Sequence, residues 1–326
     1  MYFFADLCYN MLETSKKAAR MKKNEKKETA KTPKKAKSTR PRTSPHRYPV
    51  SECADDAARF LGVIYLWSGL ARKEATGEGP LIGVLGEKSL HSILKRFITE
   101  DESAYEVPIR TRDGEVIHKY VADVCTENKI FEIQTGGFYP LIPKLSYYLS
   151  ETDYDVTVMH PIPMIRYKSW IDPKSGELKS RTRSPKKGRA EDALRELFWI
   201  REYLSSPRLH VTLLFLEEEE YRFLDGWSYD KKRGSNRCER VPVSLLGRVD
   251  LASREDYRAF LPPELPLEFV ASELGTLLGL RGRAVYSALR VFLSLGFFEE
   301  IGTRGRSVLY RRTDGSSDSS DGDTLL

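Results

Sequence analysis

The sequence predicts an α/β protein, and three observations carry this prediction. Apolar residues recur at helical spacing in some segments and alternate or cluster as in strands in others. Hydrophobic residues make up 40% and charged residues 31% of the 326 residues, which is enough apolar material for the cores of about two domains. The dipeptide Asp113-Gly114, a strong hairpin-turn signal, separates two of the strand-like runs.

The net charge of +6 is unevenly distributed along the chain. Residues 1–50 hold 14 Lys and Arg against 4 Asp and Glu, whereas residues 51–313 carry 39 of each sign. We therefore interpret residues 1–49 as a disordered basic arm that binds polyanions, with a solubilising tail or a true start at Met21 as alternatives. Residues 314–326, with four Asp and no basic residue, are expected to be a disordered acidic tail.

Composition also excludes several classes of protein. No apolar run approaches the roughly 20 residues that span a bilayer, so we expect no membrane partner. The N-terminal lysines follow the apolar residues, which is the wrong order for a secretory signal. The four cysteines form no CxxC pair and indicate free thiols in a reducing compartment. We expect a cytoplasmic protein, with association with the nucleoid as an alternative.

The elements predicted between residues 87 and 160 follow the order α-β-β-β-α-β. The periodicity predicts a helix over 87–98, strands over 105–111, 115–125 and 129–135, a helix over 139–149 and a strand over 155–160. Farther along, it predicts a basic loop over 172–189, a helix over 190–204 and a strand over 209–216. The acidic run Glu217–Glu220 is interpreted as the solvated end of that strand.

A pair of acidic residues lies on the second and third predicted strands. If residues 121–125 and 130–134 pair as a hairpin about Glu127-Asn128, then Asp123 faces Glu132 with Cβ atoms about 4.5–5.5 Å apart. Two carboxylates among apolar neighbours repel each other, and a hard divalent cation with oxygen ligands is their natural occupant. Gln134 follows on the same face, where its amide could orient a water or contact a phosphate. A slip of one residue would place the acids on opposite faces.

With this element order and these acids, residues 83–165 resemble the αβββαβ core of the PD-(D/E)XK nuclease superfamily. The resemblance assigns Asp123 and Glu132 to its metal-binding acids, Glu87 to an acid on the first helix, and Gln134 to the position of the usual lysine. The E-x-Q variant occurs in some restriction endonucleases, and the motif is similar to that of uncharacterised bacterial members. Because lysine migration occurs in this superfamily, Lys144 is the candidate replacement.

The resemblance implies phosphodiester hydrolysis with Mg²⁺ or Mn²⁺. It implies metal ligands Glu87, Asp123 and Glu132, and a catalytic set that adds Gln134 and Lys144 to them. A metal ion held there would activate a bound water and stabilise charge on the phosphate. We place this nuclease-like domain, with helical additions, at residues 50–260.

The C-terminal segment 262–313 is similar to a winged helix-turn-helix domain. A helix over 269–278, a tight Gly279–Gly282 connection, a helix over 283–295 and a hairpin over 297–312 carry the resemblance. The second helix is then the recognition helix, and the hairpin is the wing. The implied DNA-binding residues are Arg281, Arg283, Ser287, Arg290, Arg304 and Arg306.

The sequence thus predicts a metal-dependent DNA endonuclease targeted by a winged helix domain. Two alternatives stay open: a catalytically inactive DNA-binding or regulatory protein built on a nuclease-like fold, and a protein-interaction module. The sequence also leaves open whether the substrate is DNA or RNA, what the cleavage specificity is, and whether the protein is a monomer or a homodimer.

Overall fold

The computed structural model describes residues 45–76, 89–172, 175, 177–224 and 236–313. Its helices are α1 (Ala54–Thr76), α2 (Ser89–Ile98), α3 (Ile142–Glu151), α4 (Leu194–Leu197), α5 (Arg254–Arg258), α6 (Ala271–Leu278) and α7 (Arg283–Ser294). Its strands are β1 (Tyr105–Arg110), β2 (Val116–Cys125), β3 (Lys129–Ile133), β4 (Asp155–Ile171), β5 (Leu178–Arg183), β6 (Leu209–Phe223), β7 (Asn236–Leu251), β8 (Glu268–Val270), β9 (Phe298–Arg304) and β10 (Ser307–Arg312). Short 3-10 segments are Glu102–Ala104, Tyr139–Leu141, Ala190–Ala193 and Phe198–Tyr203.

A mixed sheet of seven described strands organises the molecule. The strand order is β1-β2-β3-β4-β6-β7, and β5 pairs with β4. Strands β1, β2 and β3 are antiparallel, β4 is parallel to both β3 and β6, and β7 returns antiparallel to β6. The parallel step from β3 to β4 requires a crossover, which α3 provides. The predicted α/β class is confirmed.

The first three strands lie within two residues of their predicted ends. Asp113 and Gly114 form the turn between β1 and β2, and Gly114 adopts a φ of 83°, which only glycine tolerates at little cost. The strand predicted over 155–160 is much longer, because β4 continues to Ile171 beside β6.

The interpretation of the acidic run 217–220 as a solvated strand end is wrong. Strand β6 continues through it, and Glu218, Glu219 and Glu220 are each 1% exposed. Arginines from the neighbouring strands compensate the buried charge, since Arg166 lies 3.2 Å from Glu218 and Arg181 lies 2.9 Å from Glu219. The run is a buried ion-pair network inside the sheet.

Residues 190–204 do not form the single predicted helix. They comprise a 3-10 segment, the four-residue α4 and a second 3-10 segment, and they place Leu194, Leu197 and Ile200 in the core. Because β6 and β7 extend the same sheet, both strands belong to the main domain, as do the core residues of 190–204.

Two apolar clusters cover the two faces of the sheet. On one face, α1 and α2 contribute Phe60 and Ile93, which pack with Met159 of β4. On the other face, Leu145 of α3 packs with Val158 of β4. Alternate residues of β4 thus point to opposite layers, and the sheet is buried between helices on both sides.

The C-terminal unit has its own three-stranded antiparallel sheet, ordered β8-β10-β9. The helix predicted over 269–278 is shorter, because Glu268–Val270 pairs with β10 and α6 begins at Ala271. Gly279, with a φ of 64°, ends α6 in the left-handed conformation. Leu289 of α7 belongs to the same apolar cluster as Leu194, so this unit packs directly on the main domain.

Residues 45–49, which the sequence assigns to the disordered arm, are ordered. The His46 amide donates to the Leu277 carbonyl at 2.7 Å, and the Tyr48 hydroxyl donates to the Asp256 carbonyl at 3.0 Å. Residues 1–44, the acidic tail 314–326 and the candidate ligand Glu87 lie outside the described residues. Among the helices that the structure describes, none is both long and apolar enough to cross a bilayer.

Candidate active site

The two acidic residues predicted to face each other lie on adjacent strands. Pairing of Val124 with Phe131 and of Cys125 with Ile130 is the predicted register of β2 and β3, which is therefore confirmed. Asp123 and Glu132 are the next residues beyond these two pairs, on β2 and β3 respectively. The Asp123 Oδ2 atom accepts a 2.7 Å hydrogen bond from the Ile133 amide, so the carboxylate lies between the strands.

Lys144 brings its ammonium group from α3 to the Glu132 carboxylate. Its Nζ lies 2.8 Å from Oε2 and 3.0 Å from Oε1 of Glu132, and donates to the Val121 carbonyl at 2.8 Å. Tyr148, one helical turn farther, donates its hydroxyl to Glu132 Oε1 at 2.9 Å. Both Glu132 oxygens therefore have positively polarised partners from the same helix.

The two carboxylates have different electrostatic environments. Glu132 is 2% exposed, and burial raises its pKa to about 7 against the opposing effect of Lys144. Burial also acts to raise the pKa of Asp123, but the nearby His91 ring and the hydrogen bond from the Ile133 amide outweigh it and hold the pKa below its usual value. At neutral pH, Asp123 is ionised and Glu132 is close to its titration point.

His91 is a site residue that the sequence reasoning did not assign. It lies on α2, and its Nε2 is 3.2 Å from Asp123 Oδ2. The only signal was its position four residues after Glu87, on the same face of the helix predicted over 87–98. A single histidine among apolar residues has no spacing pattern that distinguishes a site residue from a core residue.

The structure does not bring Gln134 into contact with the acids. Its side-chain amide donates to the Gly137 carbonyl at 2.5 Å, and its backbone carbonyl oxygen lies 2.6 Å from Nδ1 of His160. Gln134 therefore closes the turn that follows β3. Its predicted contact with a water or a phosphate stays a prediction.

The donor set fits a magnesium-like ion bound in part by its substrate. Among the described residues, no group of three or more His, Cys, Asp or Glu side chains could hold a metal ion. Mg²⁺ commonly uses one or two carboxylates together with waters and substrate phosphates. Asp123 and Glu132 supply two carboxylates against one ammonium, and Asp123 Oδ1 accepts no hydrogen bond from a described residue. Asp123 therefore offers a free oxygen ligand beside the Glu132 carboxylate that Lys144 holds.

The candidate DNA-binding arginines lie on the surface of the C-terminal unit. Arg281, Arg283, Arg290, Arg304 and Arg306 are exposed, and Ser287 is half-buried. Two of the arginines are paired with acids: Arg290 lies 3.7 Å from Glu300, and Arg304 lies 3.2 Å from Glu273. The other three form no ion pair with any described residue. Tyr286, 61% exposed on α7, was not assigned from the sequence.

The chain belongs to the family described as Domain of unknown function (DUF8091), whose model matches residues 88–252. The matched segment is half of the chain. It contains α2 through β7, and hence His91, Asp123, Glu132 and Lys144, and it ends before the C-terminal unit. No curated protein and no solved structure matches the chain.

Proposed function

We propose that the protein is a Mg²⁺- or Mn²⁺-dependent DNA endonuclease that hydrolyses phosphodiester bonds at the Asp123–Glu132 site. The observation that carries this proposal is the Lys144 ammonium on the Glu132 carboxylate, beside Asp123. The order α2-β1-β2-β3-α3-β4, with β4 parallel to β3, supports the αβββαβ core of the PD-(D/E)XK superfamily. An acid on each of two paired strands and an ammonium beside them are the groups this chemistry requires.

Lys144 offers an answer to the missing lysine of the E-x-Q motif. Gln134 occupies the usual position and is engaged by Gly137. The cation instead reaches Glu132 from α3, at a position where it can stabilise negative charge on a bound phosphate. This supports a catalytic site rather than a degenerate one.

Each described residue has a distinct task in the proposed reaction. Asp123 and Glu132 would hold the metal ion, which when bound lowers the pKa of a water and stabilises charge on the phosphate. Tyr148 fixes the orientation of Glu132, and the His91 ring fixes that of Asp123. Lys144 holds Glu132 in place and offers its positive charge to the substrate.

The C-terminal unit would supply affinity for DNA. Its element order, β8-α6-α7-β9-β10 with β8 on β10, supports the winged helix assignment, in which α7 enters the major groove. Arg281 and Arg283 at the start of α7 are exposed and unpaired within the described residues. They are therefore available to phosphates or base edges.

The direct test is nicking of supercoiled plasmid by the full chain with Mg²⁺ or Mn²⁺. We expect Asp123→Asn and Lys144→Met to lower the rate at least about 100-fold, as removal of one group that stabilises transition-state charge commonly does. Asp113→Asn in an exposed turn and Lys129→Met at the start of β3 are the matched controls and should retain the wild-type rate. Absence of nicking by the wild type with both metals would overturn the proposal.

One observation favours a catalytically inactive DNA-binding protein as the second candidate. Both Glu132 oxygens are already engaged by Lys144 and Tyr148, so a metal ion must displace or share these contacts. Such a protein would shift duplex DNA in a salt-dependent manner and leave it intact with either metal.

A further inference from the structure

A cleft of about 670 Å³ opens where the chain leaves β3. Its lining includes Gly136 and Gly137, which follow β3 directly, and Leu280 and Ala284, which flank Arg281 and Arg283. Gly136 is four residues from Glu132, which limits the separation of their Cα atoms to about 14 Å. The cleft therefore reaches from the turn that follows Glu132 to the start of α7.

The lining of the cleft carries more basic than acidic side chains, five against three. Among the basic side chains, Lys168, Lys186 and Arg195 form no ion pair with a described residue. Of the acids, Asp192 lies 3.6 Å from Arg189, whereas Glu191 and Glu196 accept hydrogen bonds from the Tyr48 and Phe138 amides and form no ion pair with a described residue. The excess of basic side chains favours a ligand with negative charges.

A pair of exposed aromatic side chains lies close in sequence to residues that line the cleft. Tyr139 is 63% exposed and Trp199 is 40% exposed, and their ring centroids are 5.0 Å apart at 78°. Tyr139 follows Gly137 by two residues, and Trp199 follows Arg195 by four, about one helical turn. Large aromatic rings exposed in pairs are typical of binding surfaces.

We infer that the cleft and the aromatic pair bind single-stranded nucleic acid, with Lys168, Lys186 and Arg195 on its phosphates and its bases stacked on Tyr139 and Trp199. A cationic groove with adjacent aromatic platforms is the general design for binding a single strand, because every base has a face to stack. The inference rests on the proposed function, since it names the form of substrate that reaches Glu132.

The electrostatic half is tested by fluorescence anisotropy of a labelled oligothymidine with the full chain in EDTA, which prevents cleavage. Lys186→Glu combined with Arg195→Glu should weaken binding at least about tenfold and reduce the slope of log affinity against log salt by about 1.4, for two lost phosphate contacts. Lys119→Glu combined with Lys129→Glu, two exposed lysines outside the cleft, is the matched control. Equal effects of the two double variants would overturn the inference.

The stacking half is tested by tryptophan fluorescence. Oligothymidine should quench the wild-type emission, and Trp199→Leu should abolish this quenching and weaken binding about fivefold or more. An abasic strand of the same length should bind the wild type and Trp199→Leu equally. If heparin competes as well as oligothymidine, or if the abasic strand binds the wild type as tightly as oligothymidine does, the cleft is only a polyanion surface and the inference fails.

Failure of this inference is distinguishable from failure of the proposed function. Asp123→Asn should bind oligothymidine like the wild type and fail to nick plasmid. If both double variants retain metal-dependent nicking and bind oligothymidine like the wild type, the inference about the cleft is overturned and the proposed endonuclease activity stands. If oligothymidine binding depends on the cleft residues but the wild type does not nick plasmid, the proposed endonuclease activity is overturned and the inference about the cleft stands.

Discussion

Lys144 contacts both oxygens of Glu132, at 2.8 and 3.0 Å, from a helix that begins after β3 has ended. The same helix presents Tyr148 to Glu132 and leaves Tyr147 without a hydrogen-bond partner among the described residues. The helix thus holds the Glu132 carboxylate through Lys144 and Tyr148, which are one turn apart. Tyr147, whose hydroxyl makes no such contact, is a matched control for substitutions of Tyr148.

Tyr148→Phe should destabilise the protein by about 1.5–3 kcal/mol, the range for a hydrogen bond to a charged group. Tyr147→Phe removes a buried hydroxyl that has no partner among the described residues, so it should be neutral or stabilising. Urea unfolding monitored by circular dichroism at pH 8 measures both. Equal losses in the two variants would contradict the proposed contact of Tyr148 with Glu132.

The raised pKa of Glu132 predicts that the metal-free protein loses stability as pH rises. The folded-state pKa of about 7 lies above the ordinary value of 4.5. The folded state therefore binds the proton more tightly than the unfolded state, and the resulting stabilisation is full below pH 4.5 and lost as pH rises through 7. The total change is at most about 3 kcal/mol.

Unfolding free energies of the wild type and Glu132→Gln in EDTA between pH 4.5 and 8 test this dependence. The variant should gain stability relative to the wild type as pH rises. Glu127→Gln, in the exposed turn before β3, is the control and should parallel the wild type. A difference between Glu132→Gln and wild type that does not change with pH would show that Glu132 is ionised throughout.

The pair of half-exposed Arg181 with buried Glu219 predicts a stability effect outside the candidate active site. Arg181 donates two hydrogen bonds to Glu219 Oε2 at 2.9 and 3.0 Å and lies 3.6 Å from the Tyr167 ring centroid. Arg181→Met leaves the buried carboxylate without this partner and should cost about 1–3 kcal/mol, because the Arg181 side chain is 38% exposed and Ser169 still donates to Glu219. Lys179→Met breaks only an exposed pair with Glu177 and should cost less than about 1 kcal/mol. Thermal unfolding compares them directly.

Two arginines of the C-terminal unit should contribute unequally to duplex binding. Arg283 is exposed without an ion pair among the described residues, whereas Arg304 is already paired with Glu273. Phosphate binding by Arg304 must compete with that contact. Arg283→Gln should therefore weaken duplex binding more than Arg304→Gln in a salt-titrated mobility-shift assay. The reverse order, or no effect of either variant, would contradict the proposed docking of α7.

The local part of the candidate site could be predicted from the sequence, and the parts that depend on distant pairing could not. Asp123 and Glu132 belong to one hairpin with a short turn, so alternation along two strands fixes which residues oppose each other. His91 belongs to a different element, and its approach to Asp123 depends on how α2 packs on the sheet. The burial of Glu219 was missed because its partner Arg181 is 38 residues away in the chain. Four consecutive acids are typical of a solvated segment when no such partner is known.

The ordered residues 45–49 have a consequence for the basic segment that precedes them. His46 donates to Leu277 at the end of α6, and a side chain on Gly279 would lie 3.1 Å from Pro45. These contacts place residues 45 and 46 against the end of α6, one short turn before Arg281 and Arg283. Residues 45–49 therefore fix the point from which the preceding chain departs, beside the exposed Arg281 and Arg283.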